Sequence, residues 1–259
     1  MKATGIVMKI RRAARHEGPG LRTAVFLKGT PVRRWWCRRP EAQSSLPEPV
    51  YDRRTGRMDV LGREMDTDEV LEMLGEDRQA FRESGGGLTV SGGEPLVQPG
   101  FTEELLRRAK KAGFSTCLDT CGIGEWALFE RLLPHVDLFL YEIMETDPQR
   151  HELLAGIPNH AILSNLGALC ARGARVVLRC PLASGINDRP SHFKGIARLL
   201  EKHPSLGGPQ VLAIHGGRYR GGHERGDPCL PDCLDSDVES ERRWMREFEA
   251  LGCPKAELI

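Results

Sequence analysis

Short apolar runs recur along the chain at residues 5–10, 23–27, 87–90, 115–118, 136–143, 175–180 and 210–214. Runs of this length, rich in Val, Ile, Leu and Phe, predict strands. Between the later ones lie stretches in which apolar residues return at helical spacing: 68–82, 102–112, 125–133, Pro148–Ala155 with 161–171, and 191–203. A last amphipathic helix is expected over 237–251. Thr102 and Ser191 are expected to open two of these helices as caps, and Pro148 suits a first helical turn. Strands alternating with helices predict parallel βα units, hence a doubly wound sheet or a barrel. No internal repeat is visible, and residues 38–63 and 216–236 read as irregular.

In parallel α/β folds, chemistry collects after the C-terminal ends of strands. The polar signatures fall there in succession: GTPVRRWWC after 23–27, SGGEP after 87–90, DTCG after 115–118, YEIMETD, RCPLASGIND and IHGG after the next three. Length and composition change this picture little. With 259 residues, 40% hydrophobic content and a net charge of +1, the chain suits one large domain and has no global pull toward a polyanion. Its N-terminal apolar run is short for a signal peptide or a membrane span, so a soluble, cytoplasmic protein is expected. Eight cysteines without a secretory signal predict thiols, metal ligands or small buried residues rather than disulfides.

The strand-end residues each admit two readings. Ser91, Gly92, Gly93 and Glu94 offer backbone close to a ligand and an acceptor for an ammonium group, or form an ordinary βα turn. Asp119 and Thr120 supply a carboxylate and a hydroxyl for a cation or ribose, or cap the following helix. Cys117 shares strand parity with Asp119 and Cys121 and is expected to be a small buried residue. Glu142 lines a site or pairs with an arginine, and His215 is a ligand contact or a rim histidine. Arg179, at the end of an apolar strand, favours an anionic or carboxylate partner. Between Arg33 and Arg39 stand four arginines, two tryptophans and Cys37. Cations among aromatics suit a single nucleic-acid strand, but the near-neutral chain lacks an extended basic face, and nucleic acid is set aside.

Taken together, RHEGPGLRTAVFLKG, SGGGLTVSGGEPLVQP, FSTCLDTCG, LYEIMETDPQRHELLAGIPN and LRCPLASGIND resemble the glycyl-radical-enzyme activating enzymes of the radical S-adenosylmethionine superfamily, over residues 5–215 and in the family's order. The resemblance implies an α/β fold, a partial (β/α)6 TIM-like barrel of the radical SAM type. The whole of 1–259 is expected to form one domain, with 216–259 as a C-terminal loop and helix. The resemblance also implies a [4Fe-4S] cluster on three cysteines spaced C-x3-C-x2-C, S-adenosylmethionine as the second cofactor, a glycyl radical enzyme as protein partner, and a flavodoxin or ferredoxin as reductant where the cluster exists. Trp36 matches the aromatic beside the adenine, and Ser91, Gly92, Gly93 and Glu94 the loop holding the methionyl amino group. Asp119, Thr120, Glu142, Arg179 and His215 match further cofactor or cation contacts. Glu17, Gly18, Pro19 and Gly20 match the loop facing the partner's glycine-bearing peptide.

The three cluster positions read Thr30, Arg34 and Cys37. Iron–sulfur clusters are held by thiolates and occasionally imidazole. A threonine hydroxyl is a poor ligand for a soft metal, and a guanidinium has no lone pair to give. The family's His-Asn after the third cysteine is Arg38-Arg39, its lysine is Met144 with Glu142 in place of an aspartate, and its Pro-Tyr before His215 is Ala213-Ile214. Two outcomes stay open. Either Cys229 and Cys233, a C-x3-C pair, join Cys37 to rebuild a cluster for radical catalysis. Or the chain is a cluster-less homologue that acts by binding S-adenosylmethionine, a glycyl radical enzyme, or both.

Overall fold

The computed structural model describes residues 2–32, 42–52, 56–214, 236–253 and 255–259. The described residues fall into two compact units, one of 2–31, 42–52 and 56–140, the other of Val32, 141–214 and 236–259 without 254.

In the first unit, β1 (Thr4–Ala14) runs antiparallel to β2 (Arg22–Leu27). A hairpin, β3 (Glu48–Asp52) and β4 (Arg57–Leu61), forms its own two-stranded sheet, and β5 (Arg63–Asp66) returns antiparallel to β1. Then come α1 (Thr67–Glu76), α2 (Arg78–Ser84), β6 (Gly87–Gly92), α3 (Pro99–Lys111), β7 (Ser115–Thr120) and α4 (Trp126–Leu132). β2, β6 and β7 are parallel neighbours, with Arg22 opposite Gly87 and Gly87 opposite Ser115. β2 is buried along its whole length, as a strand covered on both faces must be. Leu88, Val90 and Leu118 are buried on the neighbouring strands, and Leu105, Leu106 and Ala109 on α3.

The division between units falls within β8 (Leu138–Glu142). The second unit holds α5 (Pro148–Ala155), α6 (His160–Ala171), β9 (Val176–Leu182), α7 (Pro190–Lys202), β10 (Gly207–Ala213), α8 (Val238–Ala250) and the short β11 (Glu257–Leu258). β9, β10 and β11 pair in parallel. Fully buried Trp244 and Phe248 bring α8 against α7, with Phe193 and Phe248 edge to face at 5.0 Å. No single helix among the described residues is long and apolar enough to cross a membrane.

The periodic segments become these elements with four differences. The helix expected over 68–82 breaks at Asp77, whose carboxylate leaves the helix to bond Thr23 Oγ1 and Arg12 Nε, 2.9 Å away. Thr102 does not cap α3; Pro99 starts the helix, and the buried Thr102 hydroxyl donates to Pro95 O at 2.8 Å. Ser191 does not open α7, which begins at Pro190 after Arg189. The irregular reading of 38–63 missed the hairpin. Its strands pair Glu48 with Leu61, and Glu48 draws the fully buried Lys28 Nζ to 2.8 Å. Pro148 does stand in the first turn of α5, behind an Asp147 cap.

Two helical glycines test this packing. A Cβ at Gly195 of α7 would stand 2.1 Å from Thr146 Oγ1, whereas one at Gly75 of α1 meets nothing within 4 Å. Gly195→Ala should lower stability by about 1–3 kcal/mol through overpacking. Gly75→Ala should raise it by up to about 1 kcal/mol through helix propensity. Urea unfolding midpoints of the two variants against wild type check both signs.

Candidate functional site

The strand ends of the first unit are organised by Glu94. β6 ends at Gly92, and the chain turns through Gly93 and Glu94 into a 3₁₀ turn at Pro95–Val97. The Gly93 amide donates to Leu27 O at 2.9 Å and the Glu94 amide to Gly29 O at 2.8 Å, tying this turn to the end of β2. A Cβ at Gly92 would lie 2.2 Å from Leu27 N, and one at Gly93 would lie 2.2 Å from Gly29 O. Both positions therefore require glycine for backbone approach.

The Glu94 carboxylate is fully buried. It accepts from Thr120 Oγ1 at 2.9 and 3.0 Å, from Cys121 N at 2.9 Å, from Cys121 Sγ at 3.0 Å and from Leu96 N at 3.1 Å. The side chain expected to receive an ammonium group is an internal bracket between the ends of β6 and β7. Burial pushes its pKa up to about 7, against the opposing pull of these donors. Ser91 and Asp119 stand side by side at the same strand ends, Ser91 Oγ donating to Asp119 Oδ2 at 2.8 Å. Thr120 is buried and committed to Glu94 and to the Gly122 amide. Thr30 is half-buried, and its amide donates to Gln43 O at 3.2 Å.

Glu17 and Gly18 lie against the middle of the same strands, since the Thr89 hydroxyl donates to Glu17 O at 2.6 Å. A Cβ at Gly18 would touch Cys117 Sγ at 3.0 Å. Cys117 is buried, as its strand parity predicts. Glu17 itself is buried with its carboxylate 3.9 Å from Arg11, which also lies over the Phe26 ring.

In the second unit, Arg179 is buried near the middle of β9 and donates through Nε to Gln210 Oε1 at 3.3 Å. Its carbonyl accepts from Ile143 N at 2.7 Å, next to Glu142. The turn after Glu142 is held by Glu145, which the sequence reading did not single out. The Glu145 carboxylate takes the amides of Thr146 and Asp147 and the Arg189 guanidinium at 3.0 Å. Asn187 donates to Met144 O at 2.8 Å and Pro181 O at 2.7 Å, joining this turn to the end of β9. Buried His192 accepts from Thr146 N through Nδ1, and burial pushes its pKa down to about 4, so the ring is neutral at pH 7. Acids followed two positions later by free amides are a sequence sign of such turns, but their arginine partners are not.

Trp36, Cys37, Arg34, His215, Cys229 and Cys233 lie outside the described residues. None of the five described cysteines forms a disulfide with another described residue. Burial raises the pKa of Cys170, Cys180 and Cys253, which keeps them thiols. Among the described residues no three or more His, Cys, Asp or Glu side chains gather to hold a metal ion.

Residues 35–200 match the model of the Radical SAM superfamily. The isethionate sulfite-lyase activating enzyme of Nitratidesulfovibrio vulgaris is 34% identical, over 99% of this chain and 97% of that protein. The choline trimethylamine-lyase activating enzyme of Oleidesulfovibrio alaskensis is 29% identical, over 94% and 96%. The crystal structure of QueE from Escherichia coli superposes with a TM-score of 0.60 at 13% identity, over 99% of this chain and 94% of that one. The last likeness carries the fold alone: α/β, of the type that the order of motifs implied.

Glu94 gives the site a pH signature. Its pKa is raised in the folded chain from an ordinary 4.5 to about 7, so the native state binds the proton more tightly than the unfolded one. That contribution is present in full below about pH 4.5 and is lost as pH rises through about 7, a change of up to about 3 kcal/mol. The urea midpoint of wild type minus that of Glu94→Gln, measured from pH 5 to 8, should fall, because the difference cancels the opposite contribution of His192, whose lowered pKa adds stability as pH rises to about 6.5. Glu94→Gln should start lower, by about 1–3 kcal/mol for mismatched donors.

Proposed function

Because this chain belongs to the glycyl-radical-enzyme activating enzymes of the radical SAM superfamily, we propose that it keeps the family's binding roles and lacks its redox step. It binds S-adenosylmethionine and a glycyl radical enzyme, and it generates no radical through a cluster of its own. The observation that carries this reading is the donor set at the cluster positions. Thr30 is half-buried beside the end of β2 and offers a hydroxyl where a thiolate is needed. Arg34 adds a permanent cation, and only Cys37 is a thiol. These residues do not fit a [4Fe-4S] cluster.

The residues around S-adenosylmethionine fit better. Ser91 and Asp119 form a hydrogen-bonded polar pair at adjoining strand ends, and the turn behind them is fixed by Glu94 and by two glycines. The resemblance assigns Gly92, Gly93, Asp119 and Thr120 of the first unit, and Glu142 and Arg179 of the second, to cofactor binding, together with Trp36 and His215, which lie outside the described residues. When bound, S-adenosylmethionine supplies a sulfonium and a methionyl zwitterion. The chain's task is to bind and orient these groups; Glu94 does so indirectly, by holding the turn. The partner reading draws support from two relatives named for a sulfite-lyase and a trimethylamine-lyase they activate. Residues 17–20 are the segment proposed to meet the partner's glycine-bearing loop.

Two measurements test the reading. Anaerobic reconstitution should leave wild type without iron or acid-labile sulfide, while titration calorimetry should still detect S-adenosylmethionine. Thr30→Cys with Arg34→Cys should recover about four irons per chain. About four irons on wild type would overturn the reading and point to Cys37, Cys229 and Cys233. Absence of S-adenosylmethionine binding would remove its other half.

A further inference from the structure

Arg22, at the start of β2, is fully buried, and every hydrogen-bond partner it has among the described residues is neutral. Its Nε donates to Thr89 Oγ1 at 2.6 Å. Nη2 donates to the carbonyls of Leu88 and, at 3.0 Å, Ser115, on β6 and β7. Nη1 reaches Pro19 O at 3.2 Å. Burial lowers its pKa. A buried guanidinium with no carboxylate hydrogen-bonded to it is costly even with Asp137 near enough to offset part of that cost, and an apolar side chain of similar volume is often as stable in a core. Space-filling therefore does not explain an arginine here. What the guanidinium does that no apolar side chain can is join two strands to the segment that precedes β2.

That segment depends on it twice. The direct contact is to Pro19 O, and the indirect one passes through Thr89, whose hydroxyl accepts from Arg22 and donates to Glu17 O at 2.6 Å. The backbone is shaped around the same side chain. Gly18 has φ of +116°, and a Cβ there would lie 3.0 Å from both Arg22 Cδ and Cys117 Sγ. Gly20 has φ of +71°, and a Cβ there would lie 2.5 Å from Ser84 O and Gly86 N. Two glycines in six residues make a segment with high unfolded entropy, so it keeps one shape only where side chains tie it down.

We propose that Arg22, with Thr89 as its relay, is the positioning residue for residues 17–20, holding them preformed for the glycine-bearing loop of the partner enzyme. The inference rests on the partner reading above. A segment fixed before association spends no binding energy on ordering, so its effect belongs in affinity for the partner and not in affinity for S-adenosylmethionine.

The test uses the full chain with Thr89→Val, which keeps the shape and deletes the relay, and Thr89→Ser, which restores the hydroxyl. Arg22→Lys is a further variant, retaining charge without the span. Trypsin nicking after exposed Arg15 reads the local order of the segment. An isethionate sulfite-lyase is the partner probe. Thr89→Val and Arg22→Lys should be nicked about tenfold faster and bind the lyase about tenfold more weakly, the scale set by one buried unsatisfied group. S-adenosylmethionine affinity should stay at the wild-type value, and Thr89→Ser should return both readouts to it. Unchanged nicking, or faster nicking with unchanged lyase affinity, would overturn the proposal. Failure of wild type to bind a lyase would instead sink the partner reading, and nicking alone would then decide whether Arg22 holds the segment.

Discussion

The strand-end architecture of the first unit depends on one buried carboxylate. Glu94 draws in the hydroxyl of Thr120, the amide and thiol of Cys121 and the amide of Leu96, while its own amide reaches back to Gly29. Three loops that leave β2, β6 and β7 are thereby closed onto one point. Each donor is itself buried, so an apolar side chain at position 94 would strand several polar groups at once. Ser91 and Asp119 stand where they do because the turn beside them cannot relax.

The second unit solves the same problem with different electrostatics. Glu145 also collects backbone amides from the turn that follows it, but a guanidinium from Arg189 lies against it. Among the described residues Glu94 has donors and no cation, so desolvation dominates and its proton affinity rises. A buried acid can thus fix a loop by either route. Only the route without a cation leaves the loop sensitive to pH near neutrality.

The turn after β2 is fixed through backbone contacts. The backbone around Thr30 is held by the Gly29 amide on Ala42 O and the Thr30 amide on Gln43 O. Gly29 has φ of +98° and no room for a Cβ beside Ser45 and Val97. On the reading proposed above, loss of a thiolate would remove redox chemistry without touching these backbone contacts.

Local spacing in the chain was enough to place most strands and helices, to set α5 at Pro148–Ala155, to bury Cys117 and to put SGGEP and DTCG at strand ends, because each of these depends on neighbours a few residues away. Family order supplied the superfamily, and residue chemistry at 30 and 34 carries the proposal that a cluster is absent. Spacing could not say where a polar side chain points. Glu94 meets partners 26 and 27 positions on, so a carboxylate that reads as a ligand acceptor is an internal bracket. Arg22 meets partners 66 and 93 positions away and shows no sign of its burial in the run around it. Asp77 breaks a periodic helix for contacts 54 and 65 positions back. Hydrophobic period is a property of the segment, whereas the partner of a buried charge is fixed only when distant strands come into register.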